Sequence, residues 1–297
     1  MVVGDDGVEH PPDGGAGGLK RGPRKVCPSS THGVDRLDDH PNLDFGAQHA
    51  RYGFHVQPKS DRLLVSEIKD KLHPKPFVEG KHLARWLPAT RKWLEWGTER
   101  APALFRRPTF SKLYEVPEKL ISVDMAAGVE KLRVAYDNNR LYHNHSAWSF
   151  VPWHSLSNVR NNSLKKTARY RWEKPLRPDL PNREELEKTS RHFAVKFILA
   201  VMNSHFARDF LRANRRSNIH LYPDDWKKLP IPDVSASQQA PVVALVDQVL
   251  AAKRLDPAVD VTAIEGRIDT LVNELYGLAP KEGDISRMDE PVAAAMR

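Results

Sequence analysis

Three constellations in this sequence have residue types that do chemistry. Glu79-Gly80-Lys81, preceded by Asp61 or Asp70, imitates the Asp…Glu-x-Lys set of magnesium-dependent nucleases, in which two acids and a lysine converge on one cation. Gly80 and the prolines around it, Pro74, Pro76 and Pro88, point instead to a turn. His143-Asn144-His145 carries the letters of an HNH nuclease, but neighbouring residues of a strand face opposite sides. His143 and His145 would share a face, and no third ligand accompanies them, so a satisfied or solvent-facing pair is the better account. Asp225-Trp226-Lys227 follows Asp224, which is expected to cap a short helix there. Cys27 is the only cysteine, which rules out an internal disulfide or a thiolate zinc cluster. No Ser/His/Asp or Cys/His set stands out. The expectation is a chain without catalytic, metal or cofactor-binding residues.

Residues suited to binding are more prominent. The formal net charge is +8, and it is divided unevenly. Residues 161–230 carry 16 Lys+Arg against 8 Asp+Glu, residues 81–119 carry 9 against 4, and residues 231–297 carry 6 against 11. Such a division suggests that one part faces a polyanion and another does not. The densest cluster is Lys165, Lys166, Arg169, Tyr170, Arg171 and Trp172. Lysines there suit phosphates, and arginines can fork onto guanine in a major groove. Arg106 and Arg107, with Arg91, Lys92 and Arg100 nearby in sequence, form a second group. Arg212, Arg215 and Arg216 close a helix, where cations also complement the helix dipole. Trp93 and Trp96 read as core or loop anchors rather than stacking platforms.

The elements that must position these side chains can be read coarsely. Residues 1–60 are dominated by Gly, Pro, Asp and His and read as an unstructured tail. Their GGAGG stretch is no nucleotide loop, because no strand precedes it and no Lys-Ser/Thr follows. From 61 to about 180 the text is short strands and loops. Within it Lys131–Tyr136, the turn residues Asp137-Asn138-Asn139, and Leu141–Trp153 are expected to form a hairpin. Asn182 with Glu185 makes a capping box for a helix whose apolar face runs Phe193, Ala194, Phe197, Ile198 and Val201, bent at Asn203-Ser204. Ile219–Tyr222 reads as a short strand.

Two amphipathic helices close the chain. The first opens at Ser237, buries Val242, Leu245, Val246, Val249 and Leu250, and ends at Asp256-Pro257. The second is capped by Asp260 or Thr262, buries Ile264, Ile268, Leu271, Val272 and Leu275, and ends at Gly277. Because the closing segment is net acidic, the pair is expected off nucleic acid and against another protein surface. The fold class is therefore α+β: a strand-and-loop-rich domain at 61–232, an antiparallel helical hairpin at 233–279, and a disordered tail at 280–297. No apolar run approaches the ~20 residues of a membrane span, and a lone cysteine without a leader sequence suits a reducing cytoplasm.

Several phrases, in order, resemble one family. Lys75-Pro76-Phe77-Val78-Glu79-Gly80-Lys81 with Arg85-Trp86 resembles the "pi.G.di..y" opening of target-recognition domains in TaqI-type and type IIG adenine-specific DNA methyltransferases. Phe105-Arg106-Arg107-Pro108 and Pro117–Ile121 look like the "F..pKLl" strand, and Tyr136-Asp137 through His143–Ser146 like the hairpin after it. Phe197–Ser204 is similar to "llaiLNS", Leu229-Pro230-Ile231-Pro232 to "LPIP", and Ile268-Asp269 with Leu275–Leu278 to "ID.lVyeLYgL". The resemblance spans about residues 73–279; residues 1–60 match nothing in it. It implies a specificity domain that grips duplex DNA and presents an adenine to a methyltransferase domain, which in the family lies N-terminal.

The catalytic parts of that family are not in this sequence. The one Pro-Pro, Pro11-Pro12, sits between His10 and Asp13 rather than in an NPPY-type tetrapeptide. A strand–glycine loop–helix unit for S-adenosylmethionine is also missing. S-adenosylmethionine is thus expected on a partner catalytic domain or subunit, contacted through the C-terminal helices. A split subunit, a truncated product and an inactive remnant are the expected origins. The alternatives are a Mg-dependent restriction nuclease using Glu79 and Lys81, and a protein-interaction remnant docking a methyltransferase.

Overall fold

The computed structural model describes residues 34–36, 64–89, 91–99, 101, 110–126, 128, 131–160, 170–171, 174–175 and 181–278. Strand β1 (Val34–Arg36) lies within the stretch read as a tail and pairs antiparallel with Pro230–Pro232. Strands β2 (Val65–Ser66), β3 (Lys75–Val78) and β4 (Lys92–Leu94) follow, then β5 (Lys119–Val123), β6 (Val134–Asp137), β7 (Tyr142–His143) and β8 (Ala147–Phe150). Next come β9 (Tyr170–Arg171) and β10 (Lys174–Pro175). The helical part holds α1 (Arg183–Ser190), α2 (Val195–Asn203), α3 (His205–Asn214), α4 (Pro223–Trp226), strand β11 (Pro230–Pro232), α5 (Ala236–Leu255) and α6 (Thr262–Leu275). The architecture is α+β, strands first and helices after. No helix among the described residues is long and apolar enough to cross a membrane.

Two small sheets carry the strand-rich half. One has the order β2-β4-β3-β7, with β3 parallel to β7 and the other pairs antiparallel. The other is β6-β5-β8, antiparallel throughout. Every residue of β5 is buried. Lys119 tolerates this because its ammonium donates to the Tyr114 carbonyl and the Asp137 carboxylate, which is buried with it; a buried charge survives only when so partnered. Desolvation pulls the lysine below its ordinary range, and Asp137 opposes that.

The expected hairpin does not form. β6 pairs with β5, β8 pairs with the opposite edge of β5, and β7 leaves for the other sheet. The turn chemistry itself is present: Asp137 accepts from the amides of Asn139 and Leu141, and Arg140 adopts a left-handed φ of 56°. It redirects the chain across to β3 instead of folding it back, because Tyr142 stacks on Tyr114 at 4.7 Å and buries there. Ile219–Tyr222 likewise makes only a bridge, between His220 and Met125, not a strand.

The helices follow their capping signals with some shifts. Asn182 and Glu185 form the capping box of α1. The chain breaks again at 191–194, so the apolar face is carried by α2 alone, and Ser204 caps α3. At nine residues, α2 is too short to be stable by propensity alone. Phe197, Leu199 and Val201 are fully buried in the main core, at roughly 1.5–3 kcal/mol for each such side chain. Helix α4 begins after Tyr222 with Pro223 at its first position, not at an Asp224 cap, and the Asp225 carboxylate accepts the Tyr222 amide at 3.0 Å. Helix α5 starts from Ser235, whose hydroxyl pairs with Gln238, rather than from Ser237.

The closing helices form the expected hairpin, and its apolar faces pack within this chain. Val242, Val246, Val249, Leu250, Ile268 and Val272 are buried in one core with α2 and the β6-β5-β8 sheet. Their apolar faces are taken up by this chain's own α2, so any partner must meet the outer, polar faces.

Candidate nucleic-acid interface

Lys165, Lys166 and Arg169 lie outside the described residues, as do Arg106, Arg107, Arg100, Trp172, Asp61 and Cys27. Tyr170 and Arg171 are described as backbone only: they form β9, paired with Lys174 and Pro175 of β10 across a two-residue connection. The two ends of this basic segment are fixed by neighbouring elements. The chain arrives through the 3₁₀ turn Trp153–Leu156 and Asn158, whose φ of 63° is left-handed, and resumes at Asn182 in the cap of α1.

One side chain ties these ends together. Arg183 donates to the carbonyls of Leu156 and Val159, to the Glu187 carboxylate at 2.9 Å, and lies over the Trp153 ring at 5.4 Å. Ser157 adds a bond to Glu187 at 2.6 Å, and Ser190 receives the His154 amide at 2.9 Å. Arginine suits this post because its planar fork can satisfy several acceptors at once. The sequence reading passed over Arg183; its place at the first position of a capped helix, next to a charge-rich segment, was the available signal.

The other basic groups have mixed fates. Arg215 donates to the Ala126 carbonyl at 2.9 Å, Arg216 approaches Asp225 at 3.4 Å and lies over Tyr222, and Arg212 pairs with Asp209 while staying exposed. In the stretch 81–119 the formal surplus is partly met by acids from elsewhere. Lys81 pairs with Glu79, Arg85 with Glu265, Lys92 with Glu67 and Lys119 with Asp137. Trp93 lies half-buried under Lys69, and Trp96 packs on Tyr142, as anchors would.

Arg85 and Trp86 tie the strand-rich half to the helical hairpin. Arg85 reaches Glu265 and the Asn203 carbonyl, each at 2.6 Å, and the Trp86 indole N–H donates to the other Glu265 oxygen. Trp86 is buried at a left-handed φ of 78°, a strained setting for a bulky residue. Beside it a groove of about 640 Å³ separates this loop from the α5–α6 turn, with Arg91, Asn139, Arg254 and Thr262 on its walls. The partner carboxylate stands 180 residues away in sequence, so nothing local announces it.

The look-alike sites resolve into structural roles. Glu79 pairs with Lys81 at 2.8 Å and His82 at 3.5 Å, and Asp70 is engaged by the amides of Leu72 and His73. His143 is buried, bonded to Ser149 at 2.6 Å and to the Asn144 carbonyl, whereas His145 is exposed; the two do not share a face, because β7 ends at His143. Among the described residues no group of three His, Cys, Asp or Glu could hold a metal ion.

No family model matches the chain, and no curated protein does. Among solved structures it is similar to the type IIL restriction-modification enzyme MmeI, determined in complex with DNA, with a TM-score of 0.44 and 11% identity. That similarity covers 80% of this chain and 34% of the enzyme, so the chain spans about a third of that protein.

Proposed function

We propose that the chain is a duplex-DNA recognition module, the specificity part of an adenine-specific DNA methyltransferase or restriction–modification enzyme whose catalytic domain lies elsewhere. The observation that carries this reading is the cation- and aromatic-rich segment 161–181, whose two ends Arg183 holds together on a packed base. Lysines and arginines of such a segment suit phosphates and base edges. The ordered phrases from Lys75 to Leu278 support the same reading. Lys165, Lys166, Arg169, Tyr170 and Arg171 are the principal DNA contacts, with Arg106, Arg107, Arg215 and Arg216 adding phosphate contacts that set register. S-adenosylmethionine and the adenine pocket belong to the partner catalytic domain. That partner meets the outer faces of α5 and α6.

The test is duplex binding by the purified chain over a salt series, with and without Lys165→Ala/Lys166→Ala/Arg169→Ala. Removing three phosphate contacts should lower the slope of log K against log salt by roughly 2.7. Absence of duplex binding even at low salt would sink the proposal.

A further inference from the structure

The His220 side chain is 36% exposed, but from one edge only. Its Nδ1 is shut off from solvent and lies 3.5 Å from a carboxylate oxygen of the buried Asp124. The exposed part of the ring is therefore the opposite edge, which carries Nε2. Neither His220 Nδ1 nor Asp124 Oδ1 has a hydrogen-bond partner among the described residues. A buried carboxylate so poorly paired is costly, and an imidazolium at His220 would offset that cost.

The ring is held in place through the backbone. Met125 and His220 oppose each other in an antiparallel bridge. The Leu221 amide donates to the Asp124 carbonyl at 2.8 Å on one side of it, and the Ala126 amide to the Ile219 carbonyl at 2.9 Å on the other. Side chains opposed in this way project to one side, and Met125, at 58% exposed, marks that side as facing solvent. Ser217 Oγ accepts the amides of Ile219 and His220. The Leu221 carbonyl accepts the Trp148 indole N–H, and the Ala126 carbonyl accepts Arg215.

The charged and titratable groups around the ring come from three elements. Asp124 follows β5, Arg215 and Arg216 follow α3, and Tyr222 and Asp225 stand at α4. The Tyr222 ring lies 6.0 Å from that of His220, with Arg216 over it at 4.8 Å. Of these groups the two acids are buried, while the imidazole edge and Arg216 reach solvent. An anion arriving here meets a guanidinium and an imidazole, the side chain whose charge ordinarily changes near neutral pH.

We infer that His220 is a conditional phosphate contact: its Nε2–H donates to a phosphate of duplex DNA while Asp124 holds the proton on Nδ1. One anion is fixed beneath the ring and the other comes from the duplex, so binding and proton uptake at this residue are linked. This rests on the DNA-recognition reading and adds a pH-dependent contact outside the 161–181 segment.

The experiment titrates the full chain with a mixed-sequence duplex at pH 8 and pH 6, over a salt series at each, beside His220→Asn, His220→Lys and Asp124→Asn. Between pH 8 and pH 6 the affinity of the unaltered chain should rise about fivefold more than that of His220→Asn. Its salt slope should steepen by roughly 0.9 more, as one further phosphate is neutralised. His220→Lys, a permanent cation, should already show the steeper slope at pH 8. Asp124→Asn keeps the imidazole and removes the charge that holds its proton, so its rise should move to lower pH; an unmoved rise overturns the part given to Asp124. Thermal melting at both pH values checks that the substitutions leave the fold intact. Equal gains in affinity and slope in His220→Asn and the unaltered chain, with binding that still depends on Lys165, Lys166 and Arg169, overturn the His220 contact alone. No duplex binding by the unaltered chain at either pH removes the recognition reading and this contact with it.

Discussion

The side-chain amide of Asn203 is hydrogen-bonded twice to the backbone of Val134, donating to its carbonyl at 2.9 Å and accepting its amide at 3.2 Å. The end of α2 is thereby joined to β6, and the same Val134 carbonyl also receives the Trp86 amide at 3.0 Å. Asn203→Leu would leave a buried amide N–H without its partner. The expected loss is about 1–3 kcal/mol, read by chemical denaturation. Asn203→Asp should cost at least as much near neutral pH, since a carboxylate cannot donate to the carbonyl.

Gly80 is required by contact, not by φ. A Cβ at this position would overlap the Ser146 carbonyl oxygen, and the Gly80 amide already donates to the Ser146 hydroxyl at 2.7 Å. Gly80→Ala is expected to destabilise by about 1–3 kcal/mol through overpacking. Ser146→Ala should cost less, because it removes one bond and adds no clash. Paired thermal melts distinguish the two.

His143 should make stability depend on pH. Burial pushes its imidazole down to about 4 from an ordinary value of 6.5, with the Asn144 carbonyl opposing the shift. Between those values the unfolded chain binds the proton and the folded chain does not. The stabilising term is fully present above about pH 6.5 and is lost as pH falls towards 4, up to about 3 kcal/mol. His143→Gln should flatten that part of the stability–pH curve. An equal slope in both proteins would refute the assignment.

Arg183→Ala should separate mooring from folding. It removes bonds to Leu156, Val159 and Glu187 together, which should loosen Leu156–Val159 from α1 while the core near α2 stays closed. Hydrogen exchange would show protection lost around Leu156–Val159 and retained in β5 and α2. In the proposed function, duplex affinity would fall although every DNA-facing cation remained.

Local chemistry was legible and long-range pairing was not. Asn182 with Glu185 announced a helix start because capping depends on residues three apart, whereas Ser204, read as a bend, caps a new helix. The apolar spacing of Val242–Leu250 and Ile264–Leu275 announced the helical hairpin, though not that α2 would cover it. The pairing of β5 with both β6 and β8 escaped notice because the turn chemistry after β6 suggested a hairpin with the next strand, and the parallel step from β3 to β7 did so because partners 65 residues apart leave no periodic trace. Charge counting misjudged Lys119, which lies in the core because Asp137 is there to meet it. For the proposed interface, residue types marked the 161–181 segment, while its mooring by Arg183 emerged only from packing.

Strand β6 ends its sheet, yet its outer side is not bare. Trp86 forms a parallel bridge to Ala135, donating to the Val134 carbonyl and accepting the Tyr136 amide. Open strand edges are templates on which other chains can add. Beside Asn203, which covers Val134, this tryptophan therefore also guards against self-association: fragments beginning after Trp86 would uncover the Tyr136 amide at the end of β6 and should precipitate at concentrations where longer ones stay dispersed.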